Sequence, residues 1–413
     1  MPWAFLVAWL LWVWPQDLLS ITRLEFLGEA RLPGGTQVEE TPVGGLSGLA
    51  YDARSGLYYV VADDPSARGP ARFFTLEIDL EGGRLESDGV RVVGMRVIQA
   101  PEGGPMPRLS LDPEGIVVLG DDRVIISSEG QINRRVAPFV RRFDTRGGYL
   151  GELDLPERYL PSTDGSSGPR HNLVFESLTA TPDRRHLFTA LENALIEDGP
   201  EARLDAASPA RMLRFDLATG ELEAEYLYWV EPVAESASVP DGLEVSGLVE
   251  LLALDETRLL AMERSFSMGA GNTIRLFLID TAGATDLRPL GPLDRVDLSS
   301  VVPVGKSLLL DLAELDRYLD NVEGMTFGPA LDDGRRTLIL VSDDNFNPLV
   351  QTTQFLAFAL GEEPLAVDQV QGGGHRSPLA GQWVRGIDGG VSGRQAGETP
   401  GVSIDAPGDD GDS

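Results

Sequence analysis

The sequence contains no cysteine, three histidines and one lysine, Lys306. Without cysteine there is no disulfide, no thiolate metal centre, no cysteine nucleophile and no lipid attachment through sulfur. A single lysine argues against Schiff-base chemistry; the other basic residues are arginines, whose planar fork suits phosphate and carboxylate. Positive charge is scarce throughout. The chain sets 34 Lys and Arg against 65 Asp and Glu, a formal net charge of −31. A surface that acidic repels phosphates, which excludes a nucleic-acid partner, and it attracts cations.

Other absences narrow the chemistry further. No glycine-rich phosphate loop stands in a strand-helix context. A Ser-His-Asp triad is poorly supplied, because His186 opens a strand, His375 lies near the C-terminal end, and neither Ser47 nor Ser177 sits in a G-x-S-x-G elbow. Only His171 stands near candidate acids. Long apolar runs are missing too, apart from residues 1–15, MPWAFLVAWLLWVWP. That run is shorter than the roughly 20 residues a membrane span needs, and its length suits the core of a signal peptide. Export to the periplasm or the extracellular space is therefore expected, without a stable transmembrane span. No Lys or Arg precedes the run, so a membrane-proximal anchor stays open.

What is present is a repeat. Residues 172–193, NLVFESLTATPDRRHLFTALEN, run from Glu176 through a short strand, a Pro-Asp turn and a second strand to Glu192. Proline presets φ and aspartate bonds the backbone beyond it, so the segment reads as a β-hairpin. Directly opposed residues in such a hairpin lie about 4.5–5.5 Å apart, which brings the two glutamates to one edge. Looser copies occupy residues 47–64, 113–130, 249–266 and 322–347. Each has two apolar strands around an Asp-containing turn and ends on an acid. Four of the five also begin on one, at Glu114, Glu176, Glu250 and Glu323; the first has Ser47.

A second kind of hairpin, strand, Asp, Gly turn, strand, follows the inner ones at residues 72–86, 139–153, 211–228 and 273–290. Inner plus outer hairpin makes a four-stranded blade, and the whole reads as an all-β propeller of mainly four-stranded antiparallel sheets. Six blades are expected, the sixth drawn from residues 21–33, 91–99 or 353–360. The first of these segments is also expected to pair with the chain end and close the ring. Residues 309–319, LLDLAELDRYL, carry the one helical pattern. The domain plan is a signal peptide or short anchor over residues 1–20, the propeller over 21–360 and a low-complexity acidic, Gly-rich tail over 361–413.

Acids at repeat-matched strand ends form a candidate metal site: Asp63, Asp64, Glu114, Glu129, Glu176, Glu192, Glu263, Asp320, Glu323, Asp343 and Asp344. Asn172, Asn193, Asn321 and Asn345 stand beside them as neutral oxygens. An all-oxygen donor set points to Ca²⁺, with Mg²⁺ as the alternative, and away from zinc or copper. Glu176 and Glu323 are the candidate catalytic carboxylates. Arg72, Arg170 and Arg264, with Asn172, are candidates for binding substrate; the same arginines would instead neutralise the acids if they paired with them.

Several of these stretches, GGLSGLAYD, DPEGIVV, NLVFESLTATPD with LFTALEN, LLAMERSFSMGAGNTIRLFLID and LDNVEGMTFGPALDDGRRTLILVSDDNFN, closely resemble the phytase-like family, also called esterase-like activity of phytase. The resemblance runs in order over residues 23–360. It implies a β-propeller related in architecture to the calcium-dependent propeller phytases, exported, with acidic loops that bind calcium. In such phytases carboxylates hold several calcium ions that bridge the substrate phosphates, and a metal-activated water attacks phosphorus. A calcium-dependent phosphoester hydrolase is thus the leading expectation. A metal-dependent lactonase or arylesterase of the propeller type, and a calcium-stabilised propeller that binds without turnover, stand as alternatives. The expected partner is a small molecule, possibly phosphorylated, and the expected state is a monomer.

Overall fold

The computed structural model describes residues 19–364, so the expectations for the N-terminal run and for most of the tail lie outside the described residues. Within them the chain forms five four-stranded antiparallel sheets, and they close into a ring. In the first four blades the strands lie in chain order. The first blade takes Leu46–Asp52, Leu57–Ala62, Arg72–Ile78 and Val90–Val97. The second takes Pro113–Val118, Arg123–Ser128, Phe139–Asp144 and Tyr149–Glu152. The third takes Phe175–Ala180, His186–Leu191, Ser208–Asp216 and Leu222–Val230. The fourth takes Glu244–Ala253, Arg258–Ser267, Gly271–Asp280 and Gly305–Asp311. The fifth combines Asn321–Phe327, Thr337–Asp343 and Gln354–Pro364 with Leu19–Arg31, the first strand of the chain, as its outer edge.

The ring closure expected of residues 21–33 is therefore present. The blade number is five, not six. Each segment available for a sixth blade already completes one of the five: Leu19–Arg31 and Gln354–Pro364 belong to the last, and Val90–Val97 is the fourth strand of the first. Two outer hairpins are also longer than their sequence suggested. Arg72–Ile78 pairs with Val90–Val97 across a short 3₁₀ turn, and Gly271–Asp280 pairs with Gly305–Asp311. The connection between that last pair packs Leu287, Leu293 and Val301 against Leu227 on the third blade. No helix forms at 309–319. Leu310 and Asp311 pair with Leu276 and Arg275, and only a 3₁₀ turn, Leu312–Leu315, follows. Strand pairing overrides a helical pattern that short.

Local chemistry explains the hairpins. In the third blade the Asp183 carboxylate accepts the Thr181 hydroxyl at 2.6 Å and the Arg185 amide at 3.1 Å, which holds the turn. The strands on either side are buried, apart from half-buried Ala180. Apolar side chains from both faces of each sheet meet those of the next blade, so the core lies between blades. Towards the axis the inner strands touch one another. A Cβ on Gly48 would come within 2.4 Å of the Glu114 carbonyl oxygen, and one on Gly324 within 2.2 Å of the Ser47 carbonyl oxygen. Glycine at these points lets the inner strands of the fifth, first and second blades draw together.

Candidate metal centre at the propeller mouth

All five inner hairpins carry a β-bulge at one end, where the first strand enters and the second leaves. The register skips between Leu46 and Leu49, Pro113 and Ile116, Phe175 and Ser177, Leu248 and Glu250, and Val322 and Gly324. A bulge leaves one residue unpaired and re-aims its side chain. Glu114, Glu176 and Glu323 stand in three of the bulges and Val249 in a fourth. One step past each bulge, the second strand presents Asp63, Glu129, Glu192, Arg264 and Asp343. Four carboxylates and one guanidinium thus occupy five equivalent positions. Asp112, next to Pro113, makes an eighth acid of the mouth, held by the Gln131 side-chain amide at 2.7 Å.

Apart from half-buried Asp63, these carboxylates are buried, and their charges press on one another. Burial pushes Asp63 well above the usual carboxylate range, and Asp112 and Asp343 beside it push it further. Glu114 is raised in the same way, first by burial and then by Asp63 and Glu176; Glu129 by burial and Glu192; Glu176 by burial, Glu129 and Glu192; Asp343 by burial and Glu323. Burial lifts Asp112 to about 6 and Glu192 to about 7. Arg264 is the compensating charge. Its Nη2 lies 3.4 Å from Glu323 Oε1 and 3.9 Å from Glu192 Oε1, while its buried Nε has no hydrogen-bond partner. Burial alone would weaken its hold on the proton, but Glu323 and Glu192 outweigh that and raise its pKa.

Two triads in this cluster have the spacing of a cation site. Carboxylate oxygens of Asp63, Asp112 and Glu114 lie within 4.8 Å of one another, and so do those of Glu114, Glu129 and Glu176. Oxygens bound to one Ca²⁺ at about 2.3–2.6 Å are separated by at most about 5 Å. Glu129 adds an orphan: its Oε1 accepts the Val174 amide, but its buried Oε2 has no partner. An anionic, all-oxygen set with an unsatisfied buried oxygen fits a hard divalent cation.

The remaining sequence candidates divide. Asn321 donates to Glu323 at 2.9 Å and orients it. Asp64 is tied to Arg72 at 2.7 Å, both fully buried, and Arg72 also donates to the Pro42 and Pro70 carbonyls, so this arginine holds a loop. Asp320 accepts from the Thr352 amide and hydroxyl, and Asp344 from the Gly45 and Phe346 amides; both clamp mouth loops. Arg170 is spent on the carbonyls of Ala194 and Gly199 and on Glu201. Asn172 sits exposed in a turn with φ 57°, and exposed Asn345 takes a similar conformation. Asn193 bonds the Ser246 carbonyl and the Ala202 amide.

Glu263 lies outside the cluster. It pairs with Gly247's neighbour Leu248 and meets the Tyr228 hydroxyl at 2.7 Å, the Glu231 amide at 3.0 Å and Lys306. Glu250 also lies away from the bulge position, one residue beyond it, and accepts the backbone amides of Leu178 and Leu251. Asp112 escaped the sequence reading, although the Asp-Pro-Glu run carried its signal.

Comparison with known proteins places these features in context. The model of a family described as phytase-like, esterase-like activity of phytase, matches residues 41–346. An uncharacterized secreted protein of Arthroderma benhamiae is 29% identical over 135 residues, which covers 27% of this chain and 25% of that protein; the match thus spans a quarter of the curated relative's length. Among solved structures, the Dos1 propeller is 9% identical over 77% of this chain and 68% of that one, with a TM-score of 0.34. A xylan β-1,4-xylosidase from Bacillus halodurans is 9% identical over 74% of this chain and 50% of that one, with a TM-score of 0.40. Nothing about the site passes from structures that distant.

Proposed function

The chain belongs to the phytase-like family, and from that membership we propose that it is an exported, cation-dependent hydrolase of ester bonds, phosphoesters first, with the acidic mouth as its active site. The observation that carries this reading is the pair of triads sharing Glu114 beside a single arginine. Asp63, Asp112, Glu114, Glu129 and Glu176 would hold the cation, Ca²⁺ ahead of Mg²⁺. Once bound, it supplies the positive charge that polarises an ester oxygen.

The chain's own groups do the rest. Arg264, with an unpartnered Nε, binds and orients the anionic part of the substrate. Glu323, steadied by Asn321 and Arg264, and Glu176 are the carboxylates we assign to proton transfer. Glu192, lifted to about 7, is poised to take up a proton near neutrality and to return it. Burial keeps bulk water from these carboxylates and so strengthens every charge among them. Asp64, Asp320, Asp344, Arg72 and Arg170 support the loops around the mouth. The domain plan is a leader over residues 1–20, the propeller over 21–360 and a tail over 361–413; the relative named as secreted supports only the export reading. The substrate is a small molecule and the working unit a monomer.

The test uses the purified full chain with and without EDTA on phytate, p-nitrophenyl phosphate, p-nitrophenyl acetate and a lactone. Phosphoester turnover should vanish with EDTA and return with Ca²⁺. In a Glu176→Gln, Glu323→Gln variant it should fall by about 100-fold or more. Turnover confined to the acetate or the lactone moves the reading to a lactonase or arylesterase. Calcium-dependent stability with no turnover leaves a binding propeller.

A further inference from the structure

The mouth carries an apolar lip next to its charges. Among the described residues twelve large apolar side chains are exposed, and six stand on mouth-end connections of the fourth and fifth blades, which supply Arg264 and Glu323. Val239, Leu243 and Met268 belong to one group. The Met268 amide donates to the Leu243 carbonyl at 2.9 Å, and the Ser238 amide donates to the Met268 carbonyl at 2.9 Å. Tyr318, Leu349 and Val350 form the other, 59%, 93% and 68% exposed. Their two loops are joined where Gln354 Nε2 donates to the Tyr318 carbonyl at 3.1 Å and the Thr352 amide to Asp320 at 2.7 Å. Of the other six, Leu160 and Leu204 stand on the mouth-end connections of the third blade, and Val93, Leu150, Val302 and Leu308 lie on outer strands or at the remote end.

Single exposed leucines are ordinary, whereas six large apolar side chains on the mouth-end connections of the two blades that supply Arg264 and Glu323 are a grouping. A wholly polar ligand gains nothing from them. We propose that the natural occupant is a monomeric anionic ester carrying an alkyl or aryl chain, its charged head between Arg264 and the cation-holding carboxylates and its chain lying along this lip. The inference rests on the mouth being a cation-dependent ester site.

Calorimetric binding of methylphosphonate and hexylphosphonate, neither of them hydrolysable, to the full chain in Ca²⁺ tests it. Hexylphosphonate should bind at least about tenfold more tightly, since burial of a few methylenes suffices for that ratio. A Leu349→Ser, Val350→Ser variant, altered only at exposed loop positions, should reduce the ratio to under about threefold while methylphosphonate affinity and the melting temperature stay unchanged. Equal affinity for the two phosphonates in the parent chain overturns the proposal and leaves the ionic site standing. Absence of binding by either overturns both. A variant that loses methylphosphonate as well shows that the loop acts on the site and not on the chain, which also overturns it. So does adsorption of the parent chain, but not the variant, to phosphatidylcholine vesicles, because the lip would then be a membrane contact.

Discussion

Arg264 stands where four other blades place a carboxylate, and its side chain is the charge that lets Glu192 and Glu323 remain close together in a buried mouth. Replacing it with glutamine leaves those two acids facing each other without compensation. In EDTA the Arg264→Gln variant should lose about 3 kcal/mol of stability in urea unfolding at neutral pH, because half of a buried ion pair is gone. Saturating Ca²⁺ should restore part of that loss; an unchanged midpoint in EDTA would mean that the arginine compensates nothing. The same residue shows the limit of reading single positions from the sequence. Glu263 and Arg264 are adjacent, and a repeat that ends on an acid favours the glutamate; yet the register sets Arg264, opposite Gly247, at the mouth. A one-residue slip turns every side chain to the other face. Glu114, Glu129, Glu176, Glu192, Glu323, Asp63 and Asp343 were legible because their hairpins are regular up to the bulge. Asp112 precedes its strand and was hidden by that.

The inner strand Glu244–Ala253 differs in the same way from the three counterparts whose bulges hold a glutamate. Its bulge holds Val249, so Glu250 falls one step further along and enters the packing between blades. There its carboxylate accepts the amides of Leu178 at 3.1 Å and Leu251 at 2.9 Å, and the Met325 amide also stabilises its charge. Leu178 belongs to the third blade and Met325 to the fifth, so one side chain ties three inner strands. Burial raises its pKa well above the carboxylate range in spite of those amides. Two substitutions separate shape from hydrogen bonding. Glu250→Gln keeps one acceptor and should cost no more than about 1 kcal/mol, whereas Glu250→Leu strands buried amides and should cost about 3 kcal/mol, read from chemical unfolding. Equal losses for the two would remove the role assigned to the carboxylate. Elements themselves were the readable part of the sequence, since apolar strands and Asp-Gly turns are local. Which segments pair in the outer hairpins was harder. Val90–Val97 and Gly305–Asp311 pair across connections whose length depends on what they pack against, and a local pattern carries no record of that.

At the scale of the molecule, a ring closed by its first strand against its last gathers eight acids from four blades around one arginine, within a chain of net charge −31. Such convergence has a cost that depends on pH. In the unfolded chain aspartate and glutamate titrate near about 3.9 and 4.3, whereas in the folded mouth Asp112 is lifted to about 6 and Glu192 to about 7. Between those limits the folded protein binds more protons than the unfolded chain. The associated stability is fully present below the unfolded values and is lost as pH rises through about 6 to 7. In EDTA the urea midpoint should therefore fall between pH 5 and pH 8, by an amount equivalent to a few kcal/mol at most for two such groups. Millimolar Ca²⁺ should cancel most of that decline, since a cation bound to the carboxylates favours their charged form and displaces their protons. Its apparent affinity should rise over the same pH interval, with proton release measurable by titration in buffers of different ionisation enthalpy. A metal-free protein that grows more stable from pH 5 to pH 8 would place these acids in contact with solvent or with cationic side chains, and the mouth would then have no use for calcium.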